Sequence, residues 1–174
     1  MVTGTPCTGK TTLAEALARE KGWPLIDLNF LVKRGGLCLR CEGREFVADV
    51  GRLRSKVLSL TRGKKDFVVE GHLACEFGFP CDAVAVLRCN PFILEKRLRE
   101  RGYAAKKVDD NLLCEFLDYC GARAALNFKH CRVVEVDASK PLSPKKFLAL
   151  VARPRKEPDW MPLLSGKRFA RLLR

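Results

Sequence analysis

The run Gly4-Thr5-Pro6-Cys7-Thr8-Gly9-Lys10-Thr11 constrains this chain more than any other segment, because it fits G-x-x-x-x-G-K-[ST]. The pattern has physical meaning only between a strand and a helix, and both are present. Val2-Thr3 reads as a strand end, and Thr11 to Lys21 carries Leu13, Ala14, Leu17 and Ala18 at helical spacing before Gly22 closes it. Glycines let the backbone wrap until successive N–H groups face one centre, and the helix N-terminus adds the positive end of its dipole. A phosphate group is what such a turn holds. Lys10 is then predicted to reach the β- and γ-phosphates of a nucleotide, and Thr11 to place its hydroxyl on Mg²⁺.

Downstream, short apolar runs alternate with longer helical patterns. Residues 24–28, 67–69, 83–87 and 133–136 read as strands, the middle two as continuous apolar runs covered on both faces. Residues 50–60, 91–101, 108–128 and 144–152 read as helices, with Gly121 weakening the third. Counting Val2-Thr3, five strands interleave with helices, which predicts a doubly wound α/β fold. Gly35 to Arg44 reads as an inserted loop or small flap. From Arg153 a proline- and charge-rich linker leads to a basic tail, in which Lys167, Arg168, Arg171 and Arg174 interleave with Phe169, Leu172 and Leu173.

Composition adds limits. The 174 residues suit one domain, and 47% apolar content excludes a mainly disordered chain. No apolar stretch approaches the roughly 20 residues of a membrane span, and no leader pattern opens the sequence. A soluble, cytoplasmic protein is expected (nuclear in a eukaryote), with no membrane partner and a monomer favoured. The net charge of +13 fits polyanionic partners such as nucleotides or RNA, or else a solvated charged shell. The nine cysteines are too scattered for a disulfide framework. Cys38 and Cys41 form a lone C-x-x-C, open to zinc, a local disulfide or free thiols.

Two further groups carry chemistry. In Val68-Val69-Glu70-Gly71-His72 a carboxylate ends a buried strand, where a phosphoryl-transfer site needs an acid near its metal, although a solvated strand-end carboxylate fits the same residues. Arg97, Arg99, Arg101, Gly102 and Tyr103 place guanidinium groups beside a glycine hinge, suited to neutralising moving charge or to a solvated helix face.

Together these motifs resemble one family. Gly-Thr-Pro-x-x-Gly-Lys-Thr-Thr, Glu70-Gly71-His72, Val86 to Pro91, Arg97-Leu98-x-x-Arg101-Gly102-Tyr103, and then Lys107, Asn111 and Glu115 are similar in order and spacing to the ribosome-assembly adenylate kinases. This is the archaeal and nuclear isoenzyme-six type, also described as coilin-interacting nuclear ATPase-like. The resemblance covers residues 1–152. It implies a P-loop nucleoside monophosphate kinase fold: a five-stranded parallel sheet flanked by helices, with an NMP-binding region at about 27–48 and a short lid at about 100–109. It also implies a broad-specificity adenylate kinase with ATPase activity, taking ATP and AMP with Mg²⁺. The family works in small-subunit ribosome biogenesis with a platform ribosomal protein, and rRNA is a further expected partner. Transferred by position, Gly4, Cys7, Gly9, Lys10, Thr11 and Thr12 line the ATP phosphates, Arg101 and Lys140 complete the ATP site, and Asp27, Lys33 and Arg52 serve the NMP. Catalysis falls to Lys10, Arg101, Glu70 and His72, and the metal to Thr11 and Glu70.

The family usually has glycine where Cys7 stands and aspartate where Glu70 stands. A thiol at a helix N-terminus is expected to have a depressed pKa. The tail is expected to dock partly through Trp160, Leu163 and Leu164 while its basic side faces RNA, so that removing residues 153–174 spares turnover. The alternative to an enzyme is a nucleotide-switched assembly or RNA-binding factor whose kinase activity is incidental.

Overall fold

The computed structural model describes residues 1–42, 45–154 and 157–173, with side chains described for all of these except 41, 42, 45 and 46. Five parallel strands form the main sheet: β1 (Val2–Thr3), β2 (Leu25–Asp27), β5 (Val68–Glu70), β6 (Ala83–Arg88) and β7 (Arg132–Asp137), in the order β2-β5-β1-β6-β7. β1 lies at the centre, with Val2 facing Glu70 of β5 on one side and Ala85 of β6 on the other. Chain order therefore reverses direction at β1, the point where open α/β sheets bind ligands at their carboxyl ends.

The strand residues alternate between two cores. Val69, Val84 and Val86 pack on one face with α2 (Leu28–Arg34), α3 (Val50–Thr61), a 3₁₀ turn (His72–Glu76) and α6 (Tyr119–Asn127). Val68, Ala85 and Leu87 point to the other, against α1 (Lys10–Lys21) and α7 (Pro144–Ala152). This period of two explains why the strands read as unbroken apolar runs: both faces are covered.

Three regions differ from the sequence expectation. The strand predicted over 24–28 stops at Asp27, whose carboxylate accepts from the Asn29 and Phe30 N–H groups and caps α2. The predicted flap over 35–44 contains β3 (Cys38–Glu42), which pairs antiparallel with β4 (Glu45–Ala48). The alternatives for Cys38 and Cys41 turn on the side chain of Cys41, which lies outside the described residues. The helix predicted over 108–128 is two, α5 (Ala105–Phe116) and α6, and the break falls at Leu117–Asp118, not at Gly121. Asp118 takes a left-handed conformation (φ 47°) and caps α6 by accepting from the Gly121 N–H at 3.2 Å.

The tail is integral to a third core. Phe169 is fully buried, with its ring 4.9 Å from Phe92 of α4 (Pro91–Glu100) and 5.1 Å from Phe116 of α5. Leu164, at the end of the short α8 (Met161–Leu164), joins Leu94, Leu98 and Leu112. Arg168 and Arg171, on the basic side expected to face RNA, reach the buried carboxylate of Glu95, each at 2.9 Å, and Arg171 also reaches Asp109. Burial alone would raise the Glu95 carboxyl, but Arg99, Arg168 and Arg171 together hold it below the usual range. No helix among the described residues is long and apolar enough to cross a membrane.

Candidate active site

The loop between β1 and α1 is shaped by three positive φ angles, at Gly4 (135°), Cys7 (68°) and Gly9 (97°). Gly4 is dictated by crowding, because a Cβ there would run into the carbonyl oxygen of Leu87 on the neighbouring strand. Cys7 adopts the left-handed conformation despite its side chain, a position that favours glycine. Inside the loop the Thr5 carbonyl accepts from the Thr8 hydroxyl at 2.9 Å and from Lys10 Nζ at 2.8 Å. Lys10 is thus held across the concavity. Burial lowers its pKa, and the acidic groups nearby, Glu70 and Glu115 among them, oppose that.

Beside the loop opens a cavity of about 370 Å³. Cys7, Gly9 and Thr12 form one wall, Arg97 and Arg101 of α4 and its C-terminal end a second, and Lys140 in the turn after β7 the third. Arg97 ties the walls together: its guanidinium donates to the carbonyls of Cys7 (3.5 Å), Ala138 (3.3 Å) and Ser139 (2.9 Å). The Cys7 thiol corrects the expectation of a depressed pKa. Burial raises it, and that outweighs the nearby charges of Arg101, Lys10 and Arg97.

Thr11 and Glu70 are brought together, the threonine hydroxyl donating to Glu70 Oε1 at 3.0 Å. Glu70 is fully buried, and its other oxygen, Oε2, has no hydrogen-bond partner among the described residues. Burial raises its pKa, and the charge of Asp27, directly across the β2–β5 register, adds to this. An orphaned buried carboxylate oxygen beside a hydroxyl at a phosphate-binding turn fits Mg²⁺, which takes few protein ligands and completes its shell with water and phosphate oxygens. Among the described residues no cluster of three or more His, Cys, Asp or Glu forms a metal cage. His72 follows at the start of the 3₁₀ turn. Burial, with Lys10 and Lys107 adding, depresses its pKa to about 4, so the imidazole is neutral at pH 7. Asp27 caps α2 through Oδ1 and lies opposite Glu70, whereas Lys33 and Arg52 are exposed on α2 and α3, and none of the three lines the cavity beside the loop.

Sequence reasoning assigned no role to Glu115 or Arg88. Glu115 is fully buried; its Oε2 accepts from the Thr5 hydroxyl at 2.6 Å and its Oε1 from Arg88 Nε (3.0 Å) and the Cys89 N–H (2.8 Å). Arg88 also pairs with Asp118 (2.7 Å) and Glu135 (2.6 Å). A buried carboxylate thus pins the phosphate loop to the end of β6 and to α5. Its trace in the sequence was the place of Arg88 and Cys89, within Val86 to Pro91, and of Glu115 in the family pattern.

A parallel sheet that reverses order at a glycine-wrapped lysine turn, with an acid at the end of the adjacent strand, defines the class of P-loop α/β kinases. A family model described as an AAA domain matches residues 1–118. A Methanocaldococcus jannaschii protein named "Putative adenylate kinase" is 35% identical over 121 residues, covering 68% of this chain and 67% of that one. A Methanosarcina acetivorans protein of the same name is 35% identical over 147 residues, covering 79% and 76%. Among solved structures, a gluconokinase from Sinorhizobium meliloti 1021 shares the fold, with a TM-score of 0.59 at 20% identity over 87% of this chain and 90% of that one. The chain belongs to this AAA-domain family of P-loop nucleoside monophosphate kinases and is a phosphotransferase.

Proposed function

We propose that the protein is an adenylate kinase that moves the γ-phosphoryl group of ATP to AMP, with slower transfer to water. The observation that carries this reading is one loop that sets Lys10 on the Thr5 carbonyl and Thr11 against Glu70, while its Cys7, Gly9 and Thr12 wall a cavity shared with Arg97, Arg101 and Lys140. Backbone N–H groups of residues 4–12 and Lys10 bind the phosphates, while Arg101 and Lys140 close over the nucleotide from the far walls. Thr11 and Glu70 would hold Mg²⁺, which supplies positive charge against the phosphate oxygens when bound. The acceptor nucleotide is assigned to residues 27–48, with Asp27, Lys33 and Arg52 on that side, and residues 100–109 serve as the lid.

Phosphoryl transfer through a loose transition state asks mainly for positioning and charge, and AMP needs no strong base. This suits a site whose acid is committed to the metal side and whose imidazole is neutral. Neutral His72 can accept a hydrogen bond from water, which accounts for the slower hydrolysis. A setting in small-subunit ribosome biogenesis, with a platform ribosomal protein and rRNA, is supported by the family resemblance and by the +13 charge. ADP formation from ATP, measured with and without AMP, tests the proposal. Strong dependence on AMP is expected. Hydrolysis indifferent to AMP, but raised by RNA or a ribosomal protein, would replace it with a nucleotide-switched assembly factor.

A further inference from the structure

The scattered cysteines acquire a meaning that their spacing hides. Cys81 precedes β6 and Cys131 precedes β7, and these strands lie side by side with Ala83 facing Arg132. The chain thereby brings two sulfurs from 50 positions apart to 3.5 Å, with the Cys81 S–H donating to the Cys131 sulfur. Both residues are half-buried rather than sealed in, unlike Cys75 and Cys120. They sit at the amino ends of the strands, the edge of the sheet opposite the phosphate loop.

We propose that Cys81 and Cys131 are a redox pair, closed into an intramolecular disulfide by a small-molecule disulfide such as oxidised glutathione. A disulfide needs the sulfurs at about 2.05 Å, so they must close by about 1.5 Å, within reach of side-chain rotation at the ends of adjacent strands about 4.8 Å apart. Cys131 acts first. Its thiolate attacks one sulfur of oxidised glutathione, forming a mixed disulfide and releasing one glutathione thiolate, which takes up the proton that Cys131 gave away. The Cys81 sulfur then loses its proton and attacks the Cys131 sulfur. The Cys131–glutathione bond breaks, and the second glutathione leaves with that proton. Two protein thiols are oxidised by two electrons, and one glutathione disulfide is reduced to two thiols. The order follows from the environment: burial pushes the Cys81 thiol up to about 12, making it the slower nucleophile. The cross-link constrains the unfolded chain over a long loop and so stabilises the native state.

The test uses the full chain, incubated in glutathione redox buffers, alkylated, digested with trypsin and read by tandem mass spectrometry. Peptide 66–88 carries both Cys75 and Cys81, whereas Cys131 lies on peptide 130–132, so fragment ions must assign the sulfur. The expected product joins Cys81 to Cys131, disappears on reduction with dithiothreitol, and accompanies a Tm raised by roughly 5–10 °C. Cys81→Ser is expected to stop at the glutathione adduct of Cys131. Linkage of Cys131 to Cys75, two alkylated thiols at every potential, or an oxidised protein that melts no higher would each overturn the proposal.

Discussion

Thr5 of the phosphate loop and Glu115 of α5 are joined by a 2.6 Å hydrogen bond between fully buried groups, across 110 positions of sequence. The same carboxylate holds Arg88 and the Cys89 N–H, so the shape of the loop depends on a helix that follows the Arg101–Gly102 turn. Thr5→Val leaves Glu115 Oε2 buried without its partner. It is expected to cost about 1–3 kcal/mol in urea unfolding and to raise KM for ATP more than it lowers kcat. An unchanged KM would mean that the bond does not set the loop's affinity.

Phe169 makes the last residues part of the domain. Phe169→Ala is expected to lower the unfolding free energy by about 3–5 kcal/mol, because the ring lies wholly between Phe92 and Phe116. Urea or thermal unfolding checks this, and a loss below about 1 kcal/mol would show that the tail docks only loosely.

What could be read from the sequence was mostly local, and most of what could not was long-range. The phosphate loop was legible because a glycine turn, a lysine and a helix lie within nine residues, and the strands at 67–69 and 83–87 because their apolar runs are continuous. Thr11 and Glu70 were each singled out by the chemistry that such a loop needs, but their hydrogen bond was not. The Asp118 break was not legible, since a left-handed aspartate between two amphipathic helices leaves the helical pattern nearly intact. Arg168 and Arg171 read as the RNA-facing side of a basic tail, and their carboxylate partners, Glu95 and Asp109, escaped notice because they lie more than sixty residues away. The Arg88 network was hidden for the same reason: Glu115, Asp118 and Glu135 meet only in the fold.

Glu135 gives that network a pH dependence. Burial, reinforced by hydrogen bonding to Asp118, raises its carboxyl from 4.5 to about 7 despite Arg88. The folded state therefore holds a proton that the unfolded chain releases, and this contribution to stability is full below pH 4.5 and lost as pH rises through 7. Urea midpoints of the wild type, taken relative to Glu135→Gln, are expected to fall between about pH 5 and pH 8. A flat difference would contradict the raised pKa.

The chain has two histidines, so proton NMR can follow His72 directly. In protein free of nucleotide and Mg²⁺, its ring is expected to titrate near 4, against the usual 6.5. Unfolded chains take up this proton first, so stability from His72 is full above pH 6.5 and lost as pH falls through 4. A midpoint near 6.5 would mean that the imidazole is solvated rather than held against Lys10 and Lys107.

The most direct test is calorimetric titration of Mg²⁺–ATP into the wild type and into Lys10→Ala, with turnover to ADP measured on the same preparations in the presence of AMP. One nucleotide is expected to bind the wild type with measurable heat, and the variant is expected to lose most of that heat and at least ~10²-fold in turnover. Equal heats and equal rates in the two proteins would show that the phosphate site lies elsewhere.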